Sequence, residues 1–357
     1  MNRKSIWTAI GIVVVIVVSL AIVNKPESNN YKIGVVLPLS GPAGAIGELG
    51  KNAVTLALSQ LPEKIGTQIE VIYEDDQFDS KKTVTAVTKL IEIDKVDVII
   101  TYSSASSVAG SYIAENKSVP MIGLGNSADI NKDKKWVTRF IGNPDVYNKA
   151  LIDLVLDGKY SRPAIIWNQS DGPKVVHDQL VQILPKDTFT LAIDESVTKT
   201  ENDFRSSIAR IKQANPDVII SYLSPQVGVF AKQAKDSGLN IPLVGYLNFE
   251  STDQIKAANG ALDNQVYVGN DNVEFIKQYY AMFNTYPTVA GDHLFDAVTR
   301  ASQAIIKAKG NKQEIVDFLR EDFAGAAGQY VYMNDGSYDL SNIVAKKWNG
   351  KQFVVVE

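Results

Sequence analysis

Four serines bracket the predicted start of a helix and are the side chains best placed for ligand chemistry: Ser103, Ser104, Ser106 and Ser107. They follow an apolar run at 96–101 that is typical of a buried strand. A helix start offers free backbone N–H groups and the positive end of the helix dipole, which together favour an anionic group. Capping that helix would use one or two of the hydroxyls. We therefore predict that these serines belong to a ligand-binding site.

Aromatic residues recur at equivalent positions, at or directly after the ends of predicted strands. They are Tyr102, Trp167, Tyr222 and Tyr246. Their rings could stack on a small organic ligand or enclose it. Each ring alone is explained as readily by packing at the rim of a sheet, so the prediction of a ligand site rests on their recurrence.

Enzymatic chemistry finds little support in the sequence. The chain contains no cysteine, which excludes disulfides, thiolate metal sites and a cysteine nucleophile. Its two histidines, His177 and His293, lie in separate predicted helices and pair with no serine at a useful spacing. Asp75 and Asp76 are neighbours on a strand and point to opposite faces, so they are unsuited to sharing a proton. We predict no catalytic residue, no metal and no enzymatic activity.

Nucleotide cofactors and nucleic acids are disfavoured on similar grounds. The segment 44–51 has one residue too many between its glycines for a phosphate loop, and Asn52 stands where a hydroxyl would hold magnesium. The glycine-containing segment 123–128 is not followed by the apolar helix of a dinucleotide site. With 36 basic and 40 acidic residues, the chain lacks the excess of positive charge that is typical of nucleic-acid-binding proteins. We expect no cofactor and no nucleic-acid partner.

Short apolar runs alternate with amphipathic stretches from residue 31 onward. Predicted strands lie at 32–37, 69–73, 96–101 and 119–124, and again at 164–167, 188–193, 217–222 and 241–245. Predicted helices lie between them at 47–60, 80–93, 106–116, 173–184, 202–214 and 226–237. This alternation predicts an α/β fold with two similar lobes, each a parallel sheet covered by helices. Ligands bind such sheets beyond the carboxyl ends of the strands, where the serines and aromatic residues lie.

The first thirty residues form a separate unit. Arg3 and Lys4 precede an uncharged run at 6–23, which as a helix would span about 27 Å, just enough for a bilayer core. The basic residues place the N-terminus in the cytoplasm and the remainder outside. Ser19 and Ala21 could mark a cleaved signal, but they lie inside the run. We therefore favour a retained membrane anchor, followed by a polar tether at 24–30.

Six blocks of sequence, in order, resemble the branched-chain amino-acid-binding protein family, which has the type I periplasmic solute-binding fold. They are YKIGVVLPLSGP at 31–42, IEVIYEDDQFDSKKTVTAVTKL at 69–90, DVIITYSSASS at 97–107, RFIGNPD at 139–145, DFRSSIARIKQANPDVII at 203–220 and GDHLFDAVTRASQAI at 291–305. The resemblance covers essentially all of residues 31–357. It implies an extracytoplasmic, monomeric receptor that captures a small polar solute for an ABC permease. An amino acid or a related amide or carboxylate would be the solute.

The resemblance also implies two Rossmann-like lobes, joined by three crossings of the chain, that close on the ligand by a hinge motion. We place the crossings near 142–145, 268–271 and 328–331. The first lobe would comprise 31–143 and 270–329, and the second 144–269 and 330–357. Residues 1–30 would form the anchor and tether.

In the first lobe, the resemblance assigns ligand contacts to seven positions: Ile46, Ser104, Ala105, Ser106, Gly125, Asn126 and Ser127. Ser104 would bind the carboxylate of the ligand. The loop at 125–127 would supply a backbone group and a hydroxyl. Ile46 stands where the family has a larger aromatic residue.

In the second lobe the match to the family weakens. The loop that carries a tyrosine in amino-acid binders reads NQSDG at 168–172 and has none, unless Asp171 or Trp167 substitutes. The family's acid for the ligand ammonium falls near Tyr246, and the nearest acid is Glu250. A buried ammonium without a counter-charge is costly. Either Asp171 or Glu250 supplies that charge, or the ligand is not an α-amino acid.

Two other classes of function stay open at this point. A sensory ectodomain would report ligand binding to a membrane partner through the anchor. An extracytoplasmic α/β hydrolase would need a nucleophile–base pair, which the sequence does not offer.

Overall fold

The computed structural model describes residues 30–356, so the predicted anchor at 6–23 lies outside the described residues. Strand β1 (Tyr31–Leu37) opens a regular alternation of strands and helices. The elements that follow are α1 (Gly44–Gln60), α2 (Glu63–Gly66), β2 (Ile69–Asp75), α3 (Ser80–Lys89), β3 (Val98–Tyr102), α4 (Ser104–Lys117), β4 (Met121–Leu124) and β5 (Val137–Arg139). Between residues 30 and 356, no helix combines the length and apolar character needed to cross a membrane.

The first sheet has the strand order β2-β1-β3-β4-β5, and all its pairings are parallel. Helices cover both of its faces, which is why its strands are nearly continuous apolar runs. All five residues of β3 are buried, and so are the last five of β1. The predicted α/β class is therefore confirmed for this part of the chain.

The alternation continues into a second, larger sheet. Its elements are α5 (Pro144–Asp157), β6 (Pro163–Asn168), α6 (Asp171–Ile183), β7 (Ile193–Val197), α7 (Arg205–Ala214), β8 (Val218–Tyr222), α8 (Val227–Asp236), β9 (Leu243–Gly245), α9 (Thr252–Ala258) and β10 (Val266–Asn270). The order of this sheet is β15 (Phe353–Val355), β14 (Ile343–Trp348), β10, β9, β8, β6 and β7. The five strands from β10 to β7 run parallel. The last two strands are antiparallel additions at one edge.

The remaining elements link the two sheets. They are α10 (Val273–Phe283), α11 (Gly291–Ala308), α12 (Lys312–Phe318), β11 (Phe323–Gly325), β12 (Gly328–Tyr332), β13 (Tyr338–Leu340), β14 (Ile343–Trp348) and β15 (Phe353–Val355). Helix α11 packs against α1, β1 and β3 of the first sheet. Strands β11, β12 and β13 form a small antiparallel sheet, after which β14 pairs with β10. Residues 328–331 thus belong to the small sheet, and the strand that re-enters the larger sheet begins at Ile343. The division into two lobes stays a prediction.

The predicted strand at 188–193 is wrong. Residues 186–192 form a turn and a loop, and the strand itself is Ile193–Val197. The backbone N–H groups of Thr188 and Phe189 both donate to the carbonyl of Pro185, which bends the chain there. Phe189 is buried and Leu191 is exposed, so the loop imitates the apolar content of a strand without pairing as one.

Candidate functional site

The carboxyl ends of the two large sheets approach each other. Gly172, in the first turn of α6, faces residues that follow β3 and β4. A Cβ atom built on Gly172 would lie 3.6 Å from Ser104 Oγ and 3.8 Å from Asn126 Nδ2. A longer side chain at 172 would fill the space between the two faces. We call this space, between the ends of β3–β5 and the ends of β6, β8 and β9, the cleft.

The two faces of the cleft also lie opposite each other at a second place. Residues of α1 and of α9 line a gap of about 310 Å³ there: Ala45, Glu48, Leu49 and Asn52, opposite Thr252, Asp253 and Lys256. Helices α1 and α9 therefore face each other across this gap.

Three of the four serine hydroxyls are used inside the protein. Ser103 caps α4 by accepting a hydrogen bond from the backbone N–H of Ser106 (3.3 Å). Ser106 Oγ donates to Asp76 at 2.5 Å. Ser107 Oγ accepts from Thr101 Oγ1 at 2.9 Å and donates to the Thr101 carbonyl.

Ser104 differs from the other three serines. Its Oγ accepts a hydrogen bond from the backbone N–H of Asn126 at 3.0 Å, and its hydrogen has no acceptor among the described residues. Helix α4 begins at Ser104, two residues before the predicted start. The first-turn N–H groups of Ser104 and Ala105 have no acceptor within the helix, and the helix dipole favours an anion beside them. This end of the cleft can hold a carboxylate.

The loop after β4 lies against the start of α4. A Cβ atom on Gly125 would come within 2.6 Å of Ser104 Cα, so only glycine allows this approach. Ser127 caps the short 3-10 turn that follows, because its Oγ accepts from Asp129 N at 3.3 Å. Asn126 Oδ1 is buried and has no hydrogen-bond partner within residues 30–356.

Three other residues that were predicted to contact the ligand lie where they pack against the protein or at the rim of the cleft. Tyr102 donates its hydroxyl hydrogen bond to the carbonyl of Val289 and stacks on Phe78. The Trp167 ring stacks on His177, and its Nε1 donates to Asp194, between α6 and β7. Ile46 is half-buried in α1.

The face formed by β8 and β9 is aromatic. Tyr222 OH donates to Asn148 Oδ1 at 2.6 Å, so its polar atom is satisfied. Tyr246 packs edge-to-face on Tyr147, and its hydroxyl is buried without a partner among the described residues. Burial raises the pKa of Tyr246, and the guanidinium of Arg139 partly offsets this rise.

Sequence reasoning missed two residues of this region, Arg139 and Asn248. Arg139, the last residue of β5, is buried; it donates from Nη2 to Asn143 Oδ1 (2.6 Å) and from Nε to Asn131 Oδ1 (3.3 Å). Asn248 donates from Nδ2 to the Leu223 carbonyl. Arg139 Nη1 and Asn248 Oδ1 have no partner in the described part of the chain. The signal that could have found Arg139 was its place at the carboxyl end of a strand.

The two candidate acids are placed very differently. Asp171 is exposed at the first position of α6. Glu250 is buried, and its carboxylate accepts from Lys346 Nζ (2.5 Å), Tyr267 OH (3.2 Å) and Asn272 Nδ2 (3.2 Å). Lys346 is completely buried. The Glu250 carboxylate is thus already neutralised within the protein.

Glu250 and Lys346 belong to a larger buried group, the junction network, defined as Glu250, Asn270, Asn272, Asp292, His293, Asp296, Tyr330 and Lys346. It joins β10 and β14 of the larger sheet to α11. Asp292 Oδ2 accepts from the side-chain amides of Asn270 (2.8 Å) and Asn272 (2.7 Å).

The tautomer of His293 follows from its neighbours in the junction network. His293 Nε2 accepts from Asn270 Nδ2, and Nδ1 therefore carries the hydrogen that it donates to Tyr330 OH (2.8 Å). Tyr330 in turn donates to Asp296. Burial lowers the pKa of His293.

Comparisons with known proteins identify the family. A model of the periplasmic binding protein family matches residues 30–321, and the chain belongs to that family. Leu/Ile/Val-binding protein homolog 7 of Brucella suis is 26% identical over 229 residues, which cover 60% of this chain and 57% of the relative. Homolog 2 of Brucella abortus is 26% identical and covers 69% and 70% of the two chains. The chain thus spans little more than half the length of the first of these relatives.

Solved structures show the same fold. The leucine-binding protein of Thermotoga maritima aligns with a TM-score of 0.80 at 19% identity, over 92% of this chain and 98% of that one. A solute-binding protein of an ABC transporter from R. palustris, in complex with benzoate, gives 0.80 at 22% identity, over 91% and 95%. The type I periplasmic binding fold predicted from the resemblance is confirmed.

Proposed function

We propose that this chain is an extracytoplasmic solute-binding receptor of an ABC importer, which captures a small carboxylate in the cleft by hinge closure. One observation carries the proposal: Ser104, with an uncommitted hydroxyl hydrogen at a helix start, faces Gly172 across the cleft. The names of the relatives and the benzoate complex of the R. palustris protein support it, since leucine and benzoate share a carboxylate.

The proposed mechanism follows from the way in which the ligand contacts are shared between the two faces of the cleft. Ser104 and the first turn of α4 lie on one face, and Gly172 and Tyr246 lie on the other. A ligand that touches both faces stabilises the closed arrangement by its differential affinity for that state. The two lobes proposed above, 31–143 with 270–329 and 144–269 with 330–357, would be the moving halves.

The partner and the location belong to the same proposal. An ABC permease in the cytoplasmic membrane would accept the closed form, and the segment 6–23 would hold the receptor at that membrane. Binding and release require no bond-making, so we assign no catalytic residue. Within the described residues, no cluster of three or more His, Asp or Glu side chains could hold a metal.

Spin labels on the two faces test the hinge motion. The chain has no cysteine, so Glu48→Cys in α1 and Lys256→Cys in α9 can be labelled without background. We expect a broad distance distribution without solute, which narrows to a short distance when a mixture of amino acids and small carboxylates is added. An unchanged distribution with the whole mixture would contradict the proposal.

Two controls complete this test. Labels at Glu48→Cys and Lys117→Cys both lie on helices of the first sheet, and their distance should not respond to the mixture. Co-purification from membranes should recover a permease, whereas recovery of a kinase or chemoreceptor would favour the sensory alternative.

A further inference from the structure

The first turns of two helices face each other across the cleft. Helix α4 begins at Ser104 and helix α6 begins at Asp171, and the two helices contact each other directly. Each helix follows a strand of a parallel sheet, β3 in one sheet and β6 in the other. Both helix starts therefore lie at the carboxyl ends of strands, which is where ligands bind in such sheets.

The geometry of Gly172 shows that the helix starts, and not their sides, meet here. A Cα–Cβ bond in an α-helix tilts toward the N-terminus of that helix. A Cβ atom on Gly172 would lie 3.6 Å from Ser104 Oγ and 3.8 Å from Asn126 Nδ2. These two polar atoms thus lie beside the N-terminal turn of α6, and one small group can contact both helix starts at once.

Both helix starts offer backbone N–H groups that make no hydrogen bond among the described residues. They belong to Ser104 and Ala105 in α4, and to Asp171 and Gly172 in α6. The side chain of Ser170, which precedes α6, caps none of them. The dipole of each helix adds positive potential at the same place. Two such helix starts on opposite faces favour a negatively charged acceptor between them.

The Ser104 side chain indicates independently that a ligand oxygen belongs here. Ser104 is 5% exposed, so bulk water does not serve its hydroxyl. Its Oγ accepts from the backbone N–H of Asn126, and its hydrogen has no acceptor within residues 30–356. A buried donor without an acceptor is costly. An oxygen of the solute can remove this cost.

The same place allows an amino group on the solute but does not depend on one. Asn126 Oδ1 is buried without a partner in the described part of the chain, so it can accept a hydrogen from an α-amino or α-hydroxyl group. Asp171 carries a carboxylate at the first position of α6, where its charge competes with a bound anion. Because Asp171 is exposed, water and salt weaken this competition.

We propose that the carboxylate of the solute itself bridges the two faces of the cleft, with one oxygen at the start of α4 and the other at the start of α6. The carboxylate is then the group that stabilises the closed arrangement. The solute class is carboxylic acids with or without an α-amino group, and the corresponding amides bind weakly. This inference rests on the proposed function, because it assigns the second half of the carboxylate site in the same cleft.

Matched pairs of solutes test the inference on the purified full chain. Calorimetry compares leucine with leucinamide, 4-methylpentanoate with 4-methylpentanamide, and benzoate with benzamide. In every pair that binds, we expect the carboxylate to bind ten-fold or more tightly than the amide, because only the carboxylate carries the charge that two helix starts favour. Equal binding of an amide, or no binding of a carboxylate that lacks an α-amino group, would overturn the inference.

Gly172→Ala tests the contribution of α6. The new methyl group makes ordinary contacts, 3.6 Å from Ser104 Oγ and 3.8 Å from Asn126 Nδ2, and it occupies space that the bridging carboxylate needs. Gly172 lies within a helix, so alanine should keep or raise the unfolding free energy. We expect the affinity for the carboxylate to fall ten-fold or more in a protein that unfolds normally. An unchanged affinity would contradict a carboxylate held against α6.

Asp171→Asn distinguishes an anion site from an ammonium site. Removing the Asp171 charge should tighten carboxylate binding about two- to five-fold at about 0.1 M salt. If Asp171 paired with a solute ammonium, leucine would bind more weakly instead. The control is Asp187→Asn, which removes an equal charge beyond the other end of α6, about 20 Å away, and should leave the affinity unchanged. Unchanged or weaker binding in Asp171→Asn would contradict the inference.

The outcomes are separable from those of the proposed function. If amides shorten the distance between the labels on Glu48→Cys and Lys256→Cys as well as acids do, hinge closure stands and only the bridging carboxylate is wrong. If no solute in the broad mixture shortens that distance, the receptor proposal itself fails.

Discussion

The junction network and the cleft both contain buried polar atoms. In the junction network these atoms have hydrogen-bond partners within residues 30–356, whereas several of those at the cleft do not. In the junction network, Lys346 donates to Glu250, to Asn272 and to the carbonyl of Asn270. At the cleft, Arg139 Nη1, Tyr246 OH and Asn248 Oδ1 stay without partners among the described residues.

We expect the hydrogen-bonded atoms to contribute to folding stability and the unpartnered atoms to contribute to ligand binding. A buried network whose hydrogen bonds are all made holds the helices and strands that it joins in one arrangement. Removing one side chain leaves its buried partners without hydrogen bonds, which lowers the stability of the fold. An unsatisfied group is a cost that a ligand can remove, so it contributes to affinity instead. The contrast can be tested by matched substitutions in the two regions.

The largest effect should follow from Lys346→Met. The change leaves the Glu250 carboxylate buried without its counter-charge, and we expect a loss of about 3–5 kcal/mol of unfolding free energy in urea titrations. Adding Glu250→Gln should recover part of that loss. The matched control is Lys174→Met, which breaks the exposed pair with Asp178 and should change stability by less than about 0.5 kcal/mol. Similar losses of unfolding free energy in Lys346→Met and Lys174→Met would contradict the proposed difference between the buried network and an exposed ion pair.

A smaller effect separates two tyrosines that touch each other. Tyr147→Phe removes a 2.6 Å hydrogen bond to Asn270 Oδ1, and we expect a loss of about 1–3 kcal/mol in thermal or urea unfolding. Tyr246→Phe removes a hydroxyl without a partner in the described structure, and stability should stay the same or rise slightly. If Tyr246→Phe destabilises as much as Tyr147→Phe, the hydroxyl of Tyr246 has a structural partner after all.

The smallest effect is a pH dependence with opposite signs at the two histidines. Burial lowers the pKa of His293 against the opposing influence of Asp292. Its contribution to stability is present above the unfolded pKa of about 6.5 and is lost as the pH falls through the folded value. Urea unfolding from pH 5 to 8 should therefore show a loss at acid pH that His293→Gln reduces.

His177 provides the control with the reverse sign. Burial opposes its ionisation, but hydrogen bonds with Asp194 and Asp178 outweigh burial and raise the pKa of His177. Its contribution is present below about pH 6.5 and is lost as the pH rises through the folded value. His177→Gln should destabilise the protein more at pH 5 than at pH 8. The same sign for both histidines would contradict the assigned environments.

The sequence allowed the fold to be predicted because its signals are local. Apolar runs in β1 and β3 follow from burial on both faces, and the serine run marked the start of α4. The error at 188–193 arose because a buried Phe189 in a loop resembles the apolar content of a strand.

The site could be predicted only in part because its decisive contacts are not local. The resemblance assigned the ligand carboxylate to Ser104, but it also assigned Ser106, whose hydroxyl donates to Asp76 inside the protein. The pairing of Glu250 with Lys346 spans 96 positions and decides that Glu250 is not free for a ligand. Arg139 is buried and donates to Asn131 and Asn143, contacts that the sequence pattern does not indicate.

The distance along the chain between Glu250 and Lys346 also sets an order of events during synthesis. Strand β14, which carries Lys346, pairs with both β10 and β15, so the larger sheet acquires this edge after β10 has already emerged. Until then the Glu250 carboxylate has no cation and must stay hydrated. We expect a nascent chain that ends before β14 to hold this region open to water.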